Sequence, residues 1–370
     1  MSERGMSERI CATYRINAPE TESRARAEAL AVEQSVEMPL QAVSNSHVME
    51  EIVAKVEAIR PHGDWFEVVL GIAPATTGHE PSQLVNMLFG NCSLQPEVEL
   101  VGIELPPDYS KRFPGPRFGI DGIRKLTGAQ GRALTCTALK PQGSTVAHLA
   151  RLASTFALAG IDVIKDDHGL ANQDFSPFAD RVPAVQRAIE HANRETGGRT
   201  IYAPTFSGGP AALAEQVRIA KASGVRMALV APMLVGLPVF TELVCERLDI
   251  PVMAHPAFGG AARIAPPVLL GTLFRLFGAD ATIFPNHGGR FSYGKQTCLD
   301  IAAAARKPFA GLKPALPVPA GGMSVERVDE MIAGYGANTM LLIGGGLLTA
   351  GDQLGERTRQ FVDKVRRAAA

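Results

Sequence analysis

The stretch ALTCTALKPQGSTVAHLARLASTFALAGIDVIKDDH, residues 133–168, decides the fold. Two short apolar, β-rich runs, 133–139 and 161–164, flank a segment, 144–159, whose apolar residues stand three and four apart. That spacing is the period of an amphipathic helix. Ser144 stands at its start and Gly160 just past its end, as helix capping requires. Each run also ends in chemistry: Lys140-Pro141 follows the first and Lys165-Asp166-Asp167-His168 the second.

Toward the C-terminus the pattern repeats. Further β-rich runs lie at 200–206, 226–231, 251–254, 281–284, 316–319 and 339–343, with helical patterns such as 210–223, 266–277 and 324–333 between them. Gly224, Gly278 and Gly336 close these helices. Eight strands alternating with helices predict an α/β chain, a (β/α)8 TIM barrel over 126–370. An open doubly wound sheet is the rival, because strand count alone does not prove closure. Residues 10–125 read as a small α+β N-terminal domain, with strands at 10–17 and 65–71 and helices at 20–34 and 81–89. The stretch 106–127, rich in Pro, Gly and charge, reads as a linker. Residues 1–9 contain a doubled MSER, read as a disordered start or an expression scar and set aside.

Composition narrows the function classes. The 370 residues are 46% hydrophobic and 20% charged, with 37 basic against 37 acidic residues and a formal net charge of zero. Neither nucleic acid nor an anionic membrane is expected as a partner, since both need a concentrated basic surface. No run approaches the roughly 20 apolar residues of a membrane span. The five cysteines show no CxxC spacing, which argues against zinc, and Cys92 and Cys136 sit in apolar runs that predict burial. A reduced, cytoplasmic setting fits.

In a barrel, reactive residues belong at the C-terminal strand ends. Here those ends carry Lys140, Lys165-Asp166-Asp167-His168, His255-Pro256, Asn286-His287-Gly288-Gly289-Arg290, Gly321-Gly322 and Gly344-Gly345-Gly346. Charged groups leaving a buried strand must pair or bind a cation. Two readings of the second cluster stay open: a salt-bridged loop, or a Mg²⁺ site with hard oxygen donors in which the lysine is neutral or carbamylated. The glycine runs, Gly321, Gly322, Gly344 and Gly345, suit either tight turns or phosphate cradled by backbone N–H groups. His255 and His287 face the catalytic end, whereas His148 and His191 read as structural or solvent-facing. Arg290 is suited to holding phosphate or carboxylate bidentately.

In this order the residues resemble the RuBisCO large chain and its non-carboxylating, form IV RuBisCO-like relatives. The most specific segments are GRALTCTALKPQG (131–143) and AGIDVIKDDHGLANQDFSPFADR (159–181). The resemblance implies that Lys140 acts on the enediol, and that Lys165 takes up CO₂ as a carbamate. It makes Lys165, Asp167 and His168 the Mg²⁺ ligands. It also implies that Glu33 and Asn91 of the N-terminal domain complete the site of a neighbouring subunit in a homodimer. Catalytic roles then fall to Lys140, Lys165 and His255, substrate contacts to Glu33, Asn91, Asn286, His287 and Arg290, and phosphate to the glycine runs.

Departures from that family pattern bear on the reaction. His168 stands where carboxylating members have glutamate, Gln142 replaces a lysine, Pro256 an arginine, Gly259 a histidine and Ala320 a serine. These losses argue against ribulose-bisphosphate carboxylation and leave enediolate chemistry on a singly phosphorylated substrate. The combination KDDHGL, AHPAFGG and FPNHGGRFS resembles the RuBisCO-like enzymes of D-apiose catabolism. It implies a Mg²⁺-dependent lyase or C–C hydrolase acting on 3-oxo-isoapionate 4-phosphate. The alternatives are a methionine-salvage enolase or isomerase of a methylthio-sugar phosphate, with Phe258, Phe284 and Met323 as its apolar slot, and a non-catalytic phosphate-binding protein.

Overall fold

A computed structural model describes residues 8–368 of the chain. Of the doubled MSER, residues 1–7 lie outside them and Glu8 and Arg9 inside. Arg9, set aside with that repeat, is docked: its guanidinium donates to the carbonyls of Val53 (3.0 Å) and Glu51 (2.8 Å). The described chain divides into two compact units.

The first unit runs to Phe113 and adds Gly259–Leu269 and Pro308–Leu312. Its antiparallel sheet has the order β2-β3-β1-β4, with β1 Ile10–Ile16, β2 Lys55–Pro61, β3 Phe66–Ile72 and β4 Val98–Glu104. Helices α1 (Ser23–Glu33) and α2 (Pro81–Phe89) belong to the same unit. Strict alternation in β1 buries Ile10, Ala12, Tyr14 and Ile16 on one face. The sequence reading missed β2 and β4.

The second unit is the barrel. Its strands are β5 (Leu134–Leu139), β6 (Val163–Asp166), β7 (Ile201–Ala203), β8 (Thr205–Phe206), β9 (Ala228–Val230), β10 (Val252–Ala254), β11 (Ala281–Pro285), β12 (Leu316–Ala320) and β13 (Met340–Leu342). All pair in parallel, in the order β7-β6-β5-β13-β12-β11-β10-β9-β8. The two ends of that series, β7 and β8, are halves of one strand interrupted at Pro204, which has no N–H to give. The half before Pro204 pairs with β6 and the half after it with β9. Eight strands therefore close on themselves, and the open-sheet rival is excluded.

Inside the barrel, Leu134, Cys136, Val163, Ile201, Leu229, Met253, Ile283, Val318 and Met340 form one buried cluster. Ile120 and Ile123 join it from α3 (Gly119–Thr127), which corrects the reading of 106–127 as a linker. The boundary between units falls at Phe113–Pro114, so α3 groups with the barrel rather than with 10–125. The buried carboxylate of Asp280 starts the helix by accepting from the N–H groups of Phe118 and Gly119, each at 2.7 Å. Gly119 has φ +60°, and a Cβ there would lie 2.8 Å from the Pro314 carbonyl. Only glycine fits. Helices α4 (Val146–Leu158), α5 (Phe178–Thr196) and α6 (Pro210–Ala222) follow the first strands; among the described residues, two longer helices, Lys295–Arg306 and Leu354–Arg367, and five α-helical segments of eight residues or fewer accompany the later ones. No described helix is long and apolar enough to cross a membrane.

Candidate active site

Strands β5 and β6 deliver Lys140 and Lys165-Asp166-Asp167-His168 side by side, because Leu139 pairs with Asp166 across the ladder. The two aspartates turn opposite ways. Asp166 is fully buried and accepts from Arg181 Nε (3.2 Å), the Tyr202 hydroxyl (2.7 Å) and the Thr205 N–H (3.2 Å). Arg181, wholly buried on α5, also donates to the carbonyls of Ser176, Ala171 and Leu170. This pair ties down the loop that leaves β6, so Asp166 is structural.

Asp167 faces the reactive side. Its carboxylate pairs with the Lys140 ammonium, and its Oδ1 takes the Gly169 N–H (3.0 Å) and lies 3.1 Å from His168 Nδ1. Part of the salt-bridge reading therefore holds, with Lys140 rather than Lys165 as the partner. Lys165 itself is only 4% exposed and donates to the Asp166 carbonyl at 3.0 Å. Burial, with Lys140 nearby, brings its amine down to about 8. The Lys140 amine is also lowered, first by burial and then by Arg290.

The His168 ring stacks on His255 with centroids 4.2 Å apart and planes 11° from parallel. Burial, and then the neighbouring Lys165 and His168, hold His255 down at about 2, so its ring is neutral at physiological pH. The Ala257 N–H donates to His255 Nδ1 at 3.1 Å, which leaves the ring proton on Nε2. His168 has the opposite arrangement: Nδ1 sits on the carboxylate, and Nε2 keeps its lone pair. Gln142, in place of a family lysine, donates to the Gly169 carbonyl at 3.1 Å and steadies the same loop.

The loop after β11 departs from expectation. Asn286 was expected to touch substrate, but its side chain is fully buried. Its amide donates to the sulfurs of Met323 (3.3 Å) and Met331 (3.2 Å), and its carbonyl accepts from the Tyr335 hydroxyl at 2.6 Å. It is spent on packing. His287 lies against Arg327 (3.5 Å) and Glu330 (3.8 Å) rather than among the lysines. Arg290 is exposed over the Phe291 ring, 5.1 Å from its centroid. Arg327, which sequence reasoning missed, donates to the carbonyls of Gly322 (2.6 Å) and His287 (3.1 Å) and so joins the loops after β11 and β12.

The glycines have two separate reasons to be there. A Cβ on Gly322 would lie 2.5 Å from the backbone of Gly289, so this pair permits close approach of two loops. Gly345 meets nothing within 4 Å, and Gly344 borders the Lys140 side chain, which leaves space beside that amine. In the first unit, Asn91 Nδ2 donates to Glu33 (3.0 Å) and Glu37 (3.1 Å), an exposed polar cluster. Of the proposed slot, Phe284 is fully buried against Tyr335 and Met323 is packed on Asn286. Phe258 is 65% exposed.

Comparison with known proteins bears on both family and reaction. Residues 119–261 match the family model "Ribulose bisphosphate carboxylase large chain, catalytic domain". The chain is 52% identical to ribulose bisphosphate carboxylase-like protein 1 of Rhodopseudomonas palustris, covering 97% of this chain and 98% of that one. It is 51% identical to the 5-methylthioribulose-1-phosphate isomerase of Rhodospirillum rubrum, covering 99% and 98%. The crystal structure of a Rubisco-like protein from Rhodopseudomonas palustris superposes with a TM-score of 0.91 at 50% identity over 97% of each chain. These relatives overturn the expectation of a decarboxylase or C–C hydrolase of 3-oxo-isoapionate 4-phosphate, and favour the methionine-salvage alternative. The motifs behind that expectation serve enolisation in general and say little about the substrate's tail. With the strand-end lysines, the closed barrel and half of its residues shared over nearly full length, the chain belongs to the RuBisCO-like proteins.

Proposed function

We propose that this protein isomerises a 5-methylthio ketopentose phosphate through an enediolate. The observation that carries the reading is the full-length relationship, at 51% identity, to an enzyme named for that reaction. The geometry supports it chemically. Lys140, with its amine lowered and open space beside it, leaves its pair with Asp167 and, in its neutral form, takes the proton from the carbon next to the carbonyl. As the carbonyl electrons move onto oxygen, the His255 Nε2–H donates to that oxygen, the part a neutral imidazole plays well. The proton of the neighbouring hydroxyl passes to the first oxygen as that hydroxyl becomes the new carbonyl, and return of a proton from Lys140 to the former carbonyl carbon completes the isomerisation.

The donor set fits magnesium under one condition. Among the described residues no three His, Cys, Asp or Glu side chains gather as a metal-ligand group. Asp167 and the free Nε2 of His168 thus need a third donor, and Lys165 provides it as a carbamate. Its amine, neutral in part near pH 8, adds to CO₂ and releases a proton. Bound there, magnesium supplies positive charge beside the substrate oxygens. The N–H groups of Gly321, Gly322, Gly344 and Gly345, with Arg290, are our candidates for the phosphate, and exposed Phe258 and Phe291 for the methylthio end. Glu33 and Asn91 are assigned to a neighbouring subunit's site in a homodimer.

The test is turnover of 5-methylthioribulose 1-phosphate by purified protein with Mg²⁺ and bicarbonate. We expect isomerisation without CO₂ release, abolished in Lys140→Ala and in excess EDTA. Full activity in EDTA removes the metal from this account, and full activity of Lys140→Ala removes the assigned base.

A further inference from the structure

The barrel has a second concave surface that the proposed reaction does not use. At its N-terminal end, opposite Lys140 and Lys165, a cavity of about 680 Å³ is walled by Phe118 and Leu126 and rimmed by Lys125, Arg194, Arg199 and Arg226. A second cavity, of about 440 Å³, shares Gly198 and Arg199 with the first and adds Arg132 and Arg366. All of these residues belong to the barrel unit.

The charged lining is net positive in a chain whose net charge is zero: four cations against Glu190 in the first cavity, and Arg132, Arg199 and Arg366 against Asp162 in the second. Arg132 is satisfied, because both its terminal nitrogens lie 2.7 Å from the two oxygens of Asp162. Glu190 accepts from the Gln186 amide at 2.9 Å. Among the described residues, Lys125, Arg194, Arg199, Arg226 and Arg366 form no ion pair. Helix dipoles account for three of them, since Lys125, Arg194 and Arg366 stand in the last turns of helices. Arg199 and Arg226 stand in loops just before β7 and β9 and have no such reason. Arg199 lies across Gly128, where an added Cβ would come 3.3 Å from its Cδ, so the turn at φ +72° makes room for it.

We propose that this cleft is a second binding site, for a phosphorylated small molecule with an apolar or aromatic portion. Guanidinium groups recognise phosphate bidentately. Phe118 and Leu126 supply the wall against which the rest of the ligand packs. The site is separate from the proposed catalytic centre and does not depend on its chemistry.

The experiment is calorimetric titration of the full chain with adenosine 5′-monophosphate, pyrophosphate and inorganic phosphate, on wild type, Lys140→Ala, Arg199→Ala and Arg199→Ala/Arg226→Ala. We expect saturable binding of the nucleotide, retained in Lys140→Ala. It should fall about tenfold in the single arginine variant and further in the double one, as loss of charge-assisted hydrogen bonds implies. Unchanged far-UV circular dichroism controls for folding. Nucleotide binding tighter than that of pyrophosphate and inorganic phosphate shows that the apolar wall contributes and sustains the proposal; equal binding of all three overturns it. Binding unaffected in the double arginine variant, binding lost in Lys140→Ala, or no saturation by any probe up to about 1 mM overturns it.

Discussion

Replacing Arg181 by methionine keeps most of the side-chain volume and removes the charge that holds Asp166. Both residues are fully buried. Asp166 would retain the Tyr202 hydroxyl and the Thr205 N–H but lose its counter-ion, while burial already pushes its carboxyl up. The carbonyls of Ser176, Ala171 and Leu170 would lose a donor at 2.5, 2.7 and 3.3 Å. Breaking a buried pair from one side costs about 3–5 kcal/mol, whereas an exposed pair is worth less than about 1 kcal/mol. We therefore expect Arg181→Met to lose about 3–5 kcal/mol in urea unfolding followed by far-UV circular dichroism. Arg181→Met/Asp166→Leu removes both charges and should lose less than the sum of the singles, with a coupling of about 1–3 kcal/mol. Amides of residues 168–177 should also exchange faster in Arg181→Met, since the pair anchors that loop. A single-variant cost under about 1 kcal/mol, or strict additivity in the cycle, would refute the assignment of Asp166 as the structural aspartate.

Other expectations follow from the same geometry. Ile123→Ala should cost about 2–5 kcal/mol by calorimetry or urea titration, because α3 puts that side chain into the barrel core; a change within about 0.5 kcal/mol would return 106–127 to a linker. Cys245, which is exposed, should alkylate first in native protein by mass spectrometry, while the Cys92 and Cys136 thiols, pushed up to about 12 by burial, stay protected. His255→Ala should lower kcat about 10²–10⁴-fold, and His255→Gln, which keeps a donor, should lower it less; equal losses would mean that the ring matters only for stacking on His168.

The strands were legible because each barrel strand is a short apolar run stopped by Gly, Pro or charge. Closure was not, since it depends on Pro204 dividing one strand between two neighbours. β2 escaped notice because KVEAIRP is an edge strand with polar residues on both faces. β4 was readable, as Val98 and Leu100 are buried and alternate with half-buried positions. Helix α3 was hidden by its two glycines, which crowding against the Pro314 carbonyl and the Phe118 side chain explains only once the fold is known. At the site, the run Lys165–His168 located the chemistry, but not which aspartate turned inward. Arg181 had a signal: it lies on the apolar face of α5 with Phe178, Val182, Val185 and Ile189, where a charge implies a buried partner. Asn286 misled because its partner, Tyr335, is 49 residues away. The tail of the substrate left no clear mark, since the strand-end residues handle the carbonyl and its neighbouring carbon.

Enolisation at the Lys140–Asp167–His255 site is the central claim, and proton exchange tests it most directly. In D₂O with Mg²⁺ and bicarbonate, ¹H NMR should show 5-methylthioribulose 1-phosphate exchanging the hydrogen beside its carbonyl for deuterium. Lys140→Ala, folded by circular dichroism, should leave that hydrogen in place. Isomerisation by wild type with no solvent deuterium in recovered substrate or product, or exchange undiminished in Lys140→Ala, would contradict the account.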